Sequence, residues 1–306
     1  MKKITFSLLL TMFTLLCTAK DKTYIKGIGP ISPVKKVQGD FQFTEGPAWD
    51  MQGNLYFSDV SANKIYKMNK DGGISVFIEP SGHANGLMFE NKDKLLVCQM
   101  DGQLVSINPE TKKVTVLTDK YNGNRYNAPN DLVVDKNGGI YFTDPLFRAP
   151  QPLPQEKQAV YYISNNGKVT LLLEIPEAPN GIILSPDEKT LYVISSMQKD
   201  MWAYPVISPG ELGEGSIFCE LSQAKGKDNS GGDGVSIDSK GNLYIASELG
   251  VQIFNPEGKL LGIIKFPEQP ANVTFGGPNM KTLYVTARTS LYSAKMEVSG
   301  HSFINE

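Results

Sequence analysis

The chain has 306 residues, 41% of them hydrophobic and 20% charged, which is enough apolar material for one large core or two ordinary ones. A formal net charge of -2 and the lack of any basic run exclude a stripe that tracks nucleic-acid phosphates. Beyond the N-terminus no apolar stretch approaches the roughly 20 residues that a membrane-spanning helix needs.

In chain order, Lys2 and Lys3 precede an apolar run over residues 4–16, and the small residues CTA follow. This is the layout of a secretory signal peptide over residues 1–19, with cleavage predicted after Ala19. The expectation is export, to a periplasm or the medium. A lipid-anchored form with Cys17 as the first mature residue is the alternative, disfavoured by the bulky Leu16 before it. Short strands are predicted around residues 24–28 and 34–37, one of them closing a sheet begun at the other terminus.

From Glu45 onward one phrase recurs six times: an oxygen-bearing residue heads a short alternating strand, a polar turn follows, and a second strand reads Leu-Tyr-aliphatic. The copies are EGPAWDMQGNLYFSD, NGLMFENKDKLLVCQ, NDLVVDKNGGIYFTD, NGIILSPDEKTLYVIS, DGVSIDSKGNLYIAS and NVTFGGPNMKTLYVTA. Their heads, Glu45, Asn85, Asn130, Asn180, Asp233 and Asn272, lie 40, 45, 50, 53 and 39 residues apart. Periods of about 40–50 residues belong to propellers or helical arrays, and the two-residue alternation excludes helices. The predicted fold is all-β: one six-bladed β-propeller over residues 20–306, with four-stranded antiparallel blades around a central channel. In the sixth copy Gly276 and Gly277 interrupt the alternation.

Three long links fall on one face in this topology: residues 119–129, the Pro-rich insertion 145–159, and residues 222–232. Long loops gathered on a rigid scaffold are where sites are built. Phe147 and Leu146 begin the insertion and are candidates for a lid. The tyrosines of the second strands (Tyr56, Tyr141, Tyr192, Tyr244 and Tyr284) and Trp49 and Trp202 read as packing residues.

The innermost strands line the channel, so the six heads converge there. All six carry a side-chain oxygen, and none is Lys, Arg or His. Hard oxygen donors suit Ca²⁺, which takes 6–8 of them, and the two carboxylates balance its charge. Asp131 adjoins this ring, but alternation points it elsewhere. Histidine and serine mechanisms are disfavoured. Only His83 and His301 exist, His301 near the end of the chain, and no GxSxG elbow occurs. His83 precedes Asn85 on the loop side and is a candidate substrate contact. Cys98 sits in an apolar run and reads as an inert buried thiol.

EGPAWD, APNDLVVDKNGGIYFTDP, PNGIILSPDEKTLYV, DGVSIDSKGNLYIA and the FGG…KTLYVTA pair, in this order and spacing, resemble the SMP-30/gluconolactonase/LRE-like family over nearly the whole mature chain. The resemblance implies a six-bladed propeller holding a divalent metal, usually calcium, with Zn²⁺, Mn²⁺ or Mg²⁺ able to serve. It implies Glu45, Asn180 and Asp233 as metal ligands, Asn130 as a ligand or substrate contact, and Asp233 as the catalytic base. Some family members place a substrate-binding Arg two residues before the residue matched by Asn130. Here Ala128 stands there, and Arg125 is the nearest candidate. The implied activity is hydrolysis of a small-molecule lactone to a hydroxy acid. The alternatives are a calcium-dependent phosphotriesterase or esterase on the same scaffold, and a propeller that binds a ligand without catalysis.

Overall fold

The recurring phrase folds as an inner strand, a capped turn and a second strand. Asp50, Asp135 and Asp238 end the first strands of their blades, and each turns a carboxylate oxygen onto two backbone N–H groups of the following turn. That local bonding explains why WDMQGN, VDKNGG and IDSKGN recur between strands. A computed structural model describes residues 24–304 of this chain. The predicted signal peptide, with Cys17, lies outside the described residues.

Six antiparallel sheets form the blades. Blade 1 runs Thr44–Trp49, Leu55–Asp59, Lys64–Met68 and Ile74–Ile78. Blade 2 runs Ala84–Asn91, Lys94–Gln99, Gln103–Ile107 and Val114–Thr118. Blade 3 is Leu132–Val134, Ile140–Asp144, Ala159–Ile163 and Val169–Glu174. Blade 4 is Pro179–Leu184, Thr190–Ser195, Asp200–Ser208 and Ser216–Glu220, with Glu211–Leu212 as a small extension. Blade 5 is Gly232–Ile237, Leu243–Ser247, Gly250–Phe254 and Leu260–Ile264. Blade 6 takes Asn272–Gly276, Thr282–Ala287 and Ser290–Lys295 from the end of the chain, and its outer strand, Lys35–Gln38, from the beginning. Each innermost strand packs against the next, and Asn272–Gly276 reaches Thr44–Trp49 to close the ring. Joining the two ends in one sheet leaves the circle without an opening seam.

The stretch around residues 24–28 departs from the predicted strand. Gly27 and Gly29 adopt φ of 76° and 114°, and the Ile25 and Gly29 backbones bond across a tight turn instead of extending. The sixth copy keeps its register despite its glycines. A Cβ at Gly276 would meet the Trp49 indole at 2.7 Å, so the glycine makes room for that ring, which stacks on Tyr284. Tyr56 packs on Phe89 of blade 2, and Tyr244 on Phe275 of blade 6, as interblade contacts. Cys98 and Cys219 are free and buried, and burial pushes the Cys219 thiol up to about 12. Among the described residues no helix is long and apolar enough to cross a membrane.

The lower mouth of the channel is covered by the end of the chain. The His301 N–H donates to the Ile237 carbonyl, and Phe303 and Ile304 pack against apolar clusters of several blades.

Candidate active site

The site is built at the heads of the inner strands, and their glycines explain its compactness. Four heads are followed by Gly: Gly46, Gly86, Gly181 and Gly234. A Cβ on Gly46 would strike the Asn85 carbonyl, on Gly181 the Asp233 carbonyl, and on Gly234 the Asn272 side chain. A Cβ on Gly86 would lie 2.7 Å from the Asn130 carbonyl. Each glycine thus lets the head of the next blade come into contact, which narrows the ring. The inner strands bulge at four heads, in blades 1, 2, 4 and 5, and this re-aims the head side chains. Hydroxyls on the second strands tie the blades together. Ser58 Oγ donates to the Asn85 carbonyl at 2.7 Å, and Thr143 Oγ1 to the Asn180 carbonyl at 2.9 Å.

Two aspartates at the ends of second strands hold the chain as it enters blades 1 and 3. Asp59 accepts the N–H groups of Gln42 and Phe43, and Asp144 those of Asn127 and Ala128. These brackets place Glu45 and Asn130 at the top of their strands.

Glu45, Asn85, Asn130, Asn180 and Asp233 all line one cavity of about 340 Å³ at the upper mouth. Phe43, Val60 and Met100 supply apolar wall, Ser61 and Ser196 hydroxyls, and Phe147 and Arg148 come from the insertion. Glu45, Asn130 and Asn180 are only 3–4% exposed, so their remaining polar surface faces the cavity. Asn180 Nδ2 donates to Asp233 Oδ1 at 2.7 Å and to Ser196 Oγ at 2.9 Å, and Ser196 Oγ donates to the Gly232 carbonyl.

Burial dominates the electrostatics. It pushes Glu45 well above the usual carboxylate range, and the negative charge of Asp233 adds to the effect against the Gly46 N–H. Burial also raises Asp233 to about 7, opposed by the Asn180 hydrogen bond and by the charge of Arg288. Among the described residues no lysine, arginine or histidine pairs with either carboxylate, and two such groups close together are costly to ionise unless a cation joins them. Two carboxylates and two amides around one cavity are a donor set that fits a hard divalent cation. Among the described residues no group of three or more His, Cys, Asp or Glu side chains is placed for a metal, because half of this donor set is amide.

The other sequence candidates lie elsewhere. Asn272 and Asp131 face the lower channel, where the Asn272 amide donates to Asp131 at 3.4 Å and burial raises Asp131 to about 7. Arg125 does not line the cavity: its guanidinium lies against Gly102 and donates to the carbonyls of Met100, Tyr126 and Asn127. His83 does not line the cavity either: its Nδ1 lies 2.9 Å from Asp101. Leu146 anchors the insertion through its N–H to Gln158, while Phe147 reaches the cavity. Sequence reasoning passed over Phe43, Asp59, Asp144 and Arg148, and weighed Ser196 only as a nucleophile. The recurring Ser-Asp and Thr-Asp that end YFSD and YFTD were the available signal for the two aspartates.

Comparison with known proteins agrees with the propeller fold. A gluconolactonase from Zymomonas mobilis is 31% identical, over 88% of this chain and 83% of its own. The structure of a gluconolactonase from Xanthomonas campestris superposes with a TM-score of 0.79 at 26% identity, covering 86% of this chain and 89% of that one. The structure of a calcium-binding protein, regucalcin, from Agrobacterium tumefaciens shares the fold, with a TM-score of 0.74 at 22% identity over 86% and 93% of the two chains. Residues 43–289 match the SMP-30/gluconolactonase/LRE-like region, and the chain belongs to that family.

Proposed function

We propose that this propeller is a lactonase that hydrolyses a small-molecule lactone to its hydroxy acid at the upper mouth of the channel. The observation that carries the reading is the convergence of Glu45, Asn130, Asn180 and Asp233 on one cavity, in a chain 31% identical to a gluconolactonase. Those four residues would hold a divalent cation. The calcium-binding protein that shares the fold supports calcium as the first choice over Zn²⁺, Mn²⁺ or Mg²⁺. A bound cation would supply Lewis-acid polarisation of the lactone carbonyl.

This chain's own residues do the rest. The apolar wall of Phe43, Val60 and Met100 displaces bulk water from around the ring. Asp233 accepts a proton from the attacking water as its oxygen bonds to the carbonyl carbon. The ring C–O bond then breaks, the leaving alkoxide oxygen takes up a proton, and carboxylate and hydroxyl are released. Its place on the cavity lining supports Asp233 in this role, because a base must lie within reach of the water whose proton it takes. Ser196 and Asn180 orient the Asp233 carboxylate from one side. Asn130 stands on the wall below the insertion, positioned to serve the ion or the substrate. The leader over residues 1–19 supports export of the enzyme.

A panel of γ- and δ-lactones, simple esters and phosphotriesters tests this reading, each assayed with calcium and with chelator. Chelator-sensitive opening of a lactone is expected. Faster turnover of the phosphotriesters, or no turnover at all beside tight ligand binding, would replace it.

A further inference from the structure

Among the described residues Arg148 is the one cation lining the cavity, and no contact within the fold employs it. It is exposed at the mouth, and among the described residues no carboxylate or carbonyl pairs with its guanidinium. Its position is nevertheless built. Gln155 crosses from the insertion to the loop before Asn130 and donates to the carbonyls of Tyr121, Asn124 and Arg125. The Gln155 N–H is itself held by Asn127 Oδ1, and Asn127 Nδ2 donates to the Lys157 carbonyl. At the near end, the Leu146 N–H is fixed on Gln158 Oε1, next to Phe147 and Arg148. Both ends of the insertion are therefore tied down, and its tip presents an aromatic ring and a guanidinium to the cavity.

A second guanidinium stands on the blade 6 side. Arg288 lies 5.6 Å from the centre of the Phe43 ring, which lines the same cavity, and donates to Gln269. A guanidinium with free donors binds a planar or tetrahedral oxyanion through paired hydrogen bonds.

We propose that the cavity takes lactones that carry an anionic substituent (carboxylate, sulfonate or phosphate) several bonds from the ring carbonyl, and that Arg148 binds that group at the mouth. This rests on the lactonase reading above and narrows its substrate class. With the carbonyl at the floor and the oxyanion held by Arg148, the ring spans the apolar wall between them. Arg288 adds long-range attraction and no direct contact.

Glucono-1,4-lactone and glucaro-1,4-lactone test this, since they differ only in a hydroxymethyl against a carboxylate at C6. The wild-type protein with calcium should favour the carboxylate form in kcat/KM by about tenfold or more, the range a charge-assisted hydrogen bond supplies. Arg148→Gln should reduce that ratio by about tenfold, chiefly through KM, and Arg148→Lys should fall between the two. Raising the salt to about 0.5 M should shrink the wild-type preference. Equal kcat/KM for the two lactones, or an unchanged ratio in Arg148→Gln, overturns the proposal. If neither lactone is opened, the lactonase reading fails separately, and calorimetric titration of glucarate and gluconate into the calcium-loaded protein decides the anion site. Tighter glucarate binding that Arg148→Gln removes upholds it, and equal affinities in the two proteins overturn it.

Discussion

Asn180 donates its amide to Asp233 Oδ1 at 2.7 Å, joining blades 4 and 5 through side chains 53 residues apart in the sequence. The amide is held in turn by Ser196, so a head of one blade, the head of the next and a hydroxyl beyond the second strand form one unit. The chemistry assigned to Asp233 depends on that unit as much as on the carboxylate.

Asp233→Asn removes the proton acceptor and keeps the shape. Lactone turnover should fall by about 10²–10⁴-fold, the usual contribution of a general base. In the presence of chelator the variant should melt no lower than wild type, because a neutral amide replaces a carboxyl whose ionised form burial disfavours. Initial rates and thermal melts check both halves.

Stability without divalent cation should depend on pH in a defined direction. The folded Asp233 carboxyl sits at about 7, above the value of an unfolded aspartate, and Glu45 is raised as well. The folded state therefore holds protons more tightly than the unfolded chain. The contribution is fully present below the unfolded value, near pH 4, and is lost as pH rises through about 7. In chelator the melting temperature should drop between pH 5.5 and pH 8, over and above the drop seen for Asp233→Asn. Calcium should shrink the difference by stabilising the ionised carboxylates.

Gly181→Ala should disturb the site without touching a functional side chain. The added Cβ would press on the Asp233 carbonyl, which belongs to strand backbone and cannot rotate away. A cost of about 1–3 kcal/mol is expected from overpacking of this kind, together with a loss of activity greater than that of a Gly→Ala control at ordinary backbone angles with room for the methyl, such as Gly213→Ala. Denaturant melts and kcat/KM for the two variants make the comparison.

Ser196→Ala withdraws the hydroxyl that holds the Asn180 amide. Calcium affinity should weaken by about tenfold or more while the fold persists, as is usual when a partner behind a ligand is removed. Isothermal titration of calcium reads this directly.

Truncation after Gly300 uncovers the lower mouth of the channel. Phe303 and Ile304 would no longer cover the apolar clusters there, at a cost of about 1–3 kcal/mol. The upper cavity lies on the opposite face, so the melting temperature should fall more steeply than activity measured at low temperature.

The blades were legible in the sequence because one phrase repeats with its turn chemistry intact, and so were the heads, which begin each phrase. The glycines after the heads were harder to interpret. Asn-Gly and Asp-Gly read locally as turn signals, whereas here Gly181 and Gly234 mark the approach of the next blade, a contact between residues about 40–50 positions apart. Arg125 drew attention by its nearness to Asn130. Its loop doubles back, pairing Lys120–Tyr121 with Asn124–Arg125, and turns the guanidinium onto carbonyls. Arg148 is further along the chain but sits at the tip of an insertion stapled over the mouth, a placement set by the bonds of Gln155, Asn127 and Leu146 between residues distant in the sequence. Residues 24–28 looked extended by their apolar content, and two glycines with left-handed backbone bend them instead.

The central claim is that four oxygen-bearing heads from separate blades hold one divalent cation where the lactone is opened. Calcium titration of the metal-stripped protein, followed by calorimetry on wild type, Glu45→Gln and Asp233→Asn, tests it most directly. The account predicts one ion per chain in the wild type, with affinity reduced by about a hundredfold or more in each variant as a charged ligand is lost. Saturating calcium that leaves no heat and no bound ion, or binding that both variants retain undiminished, would contradict it.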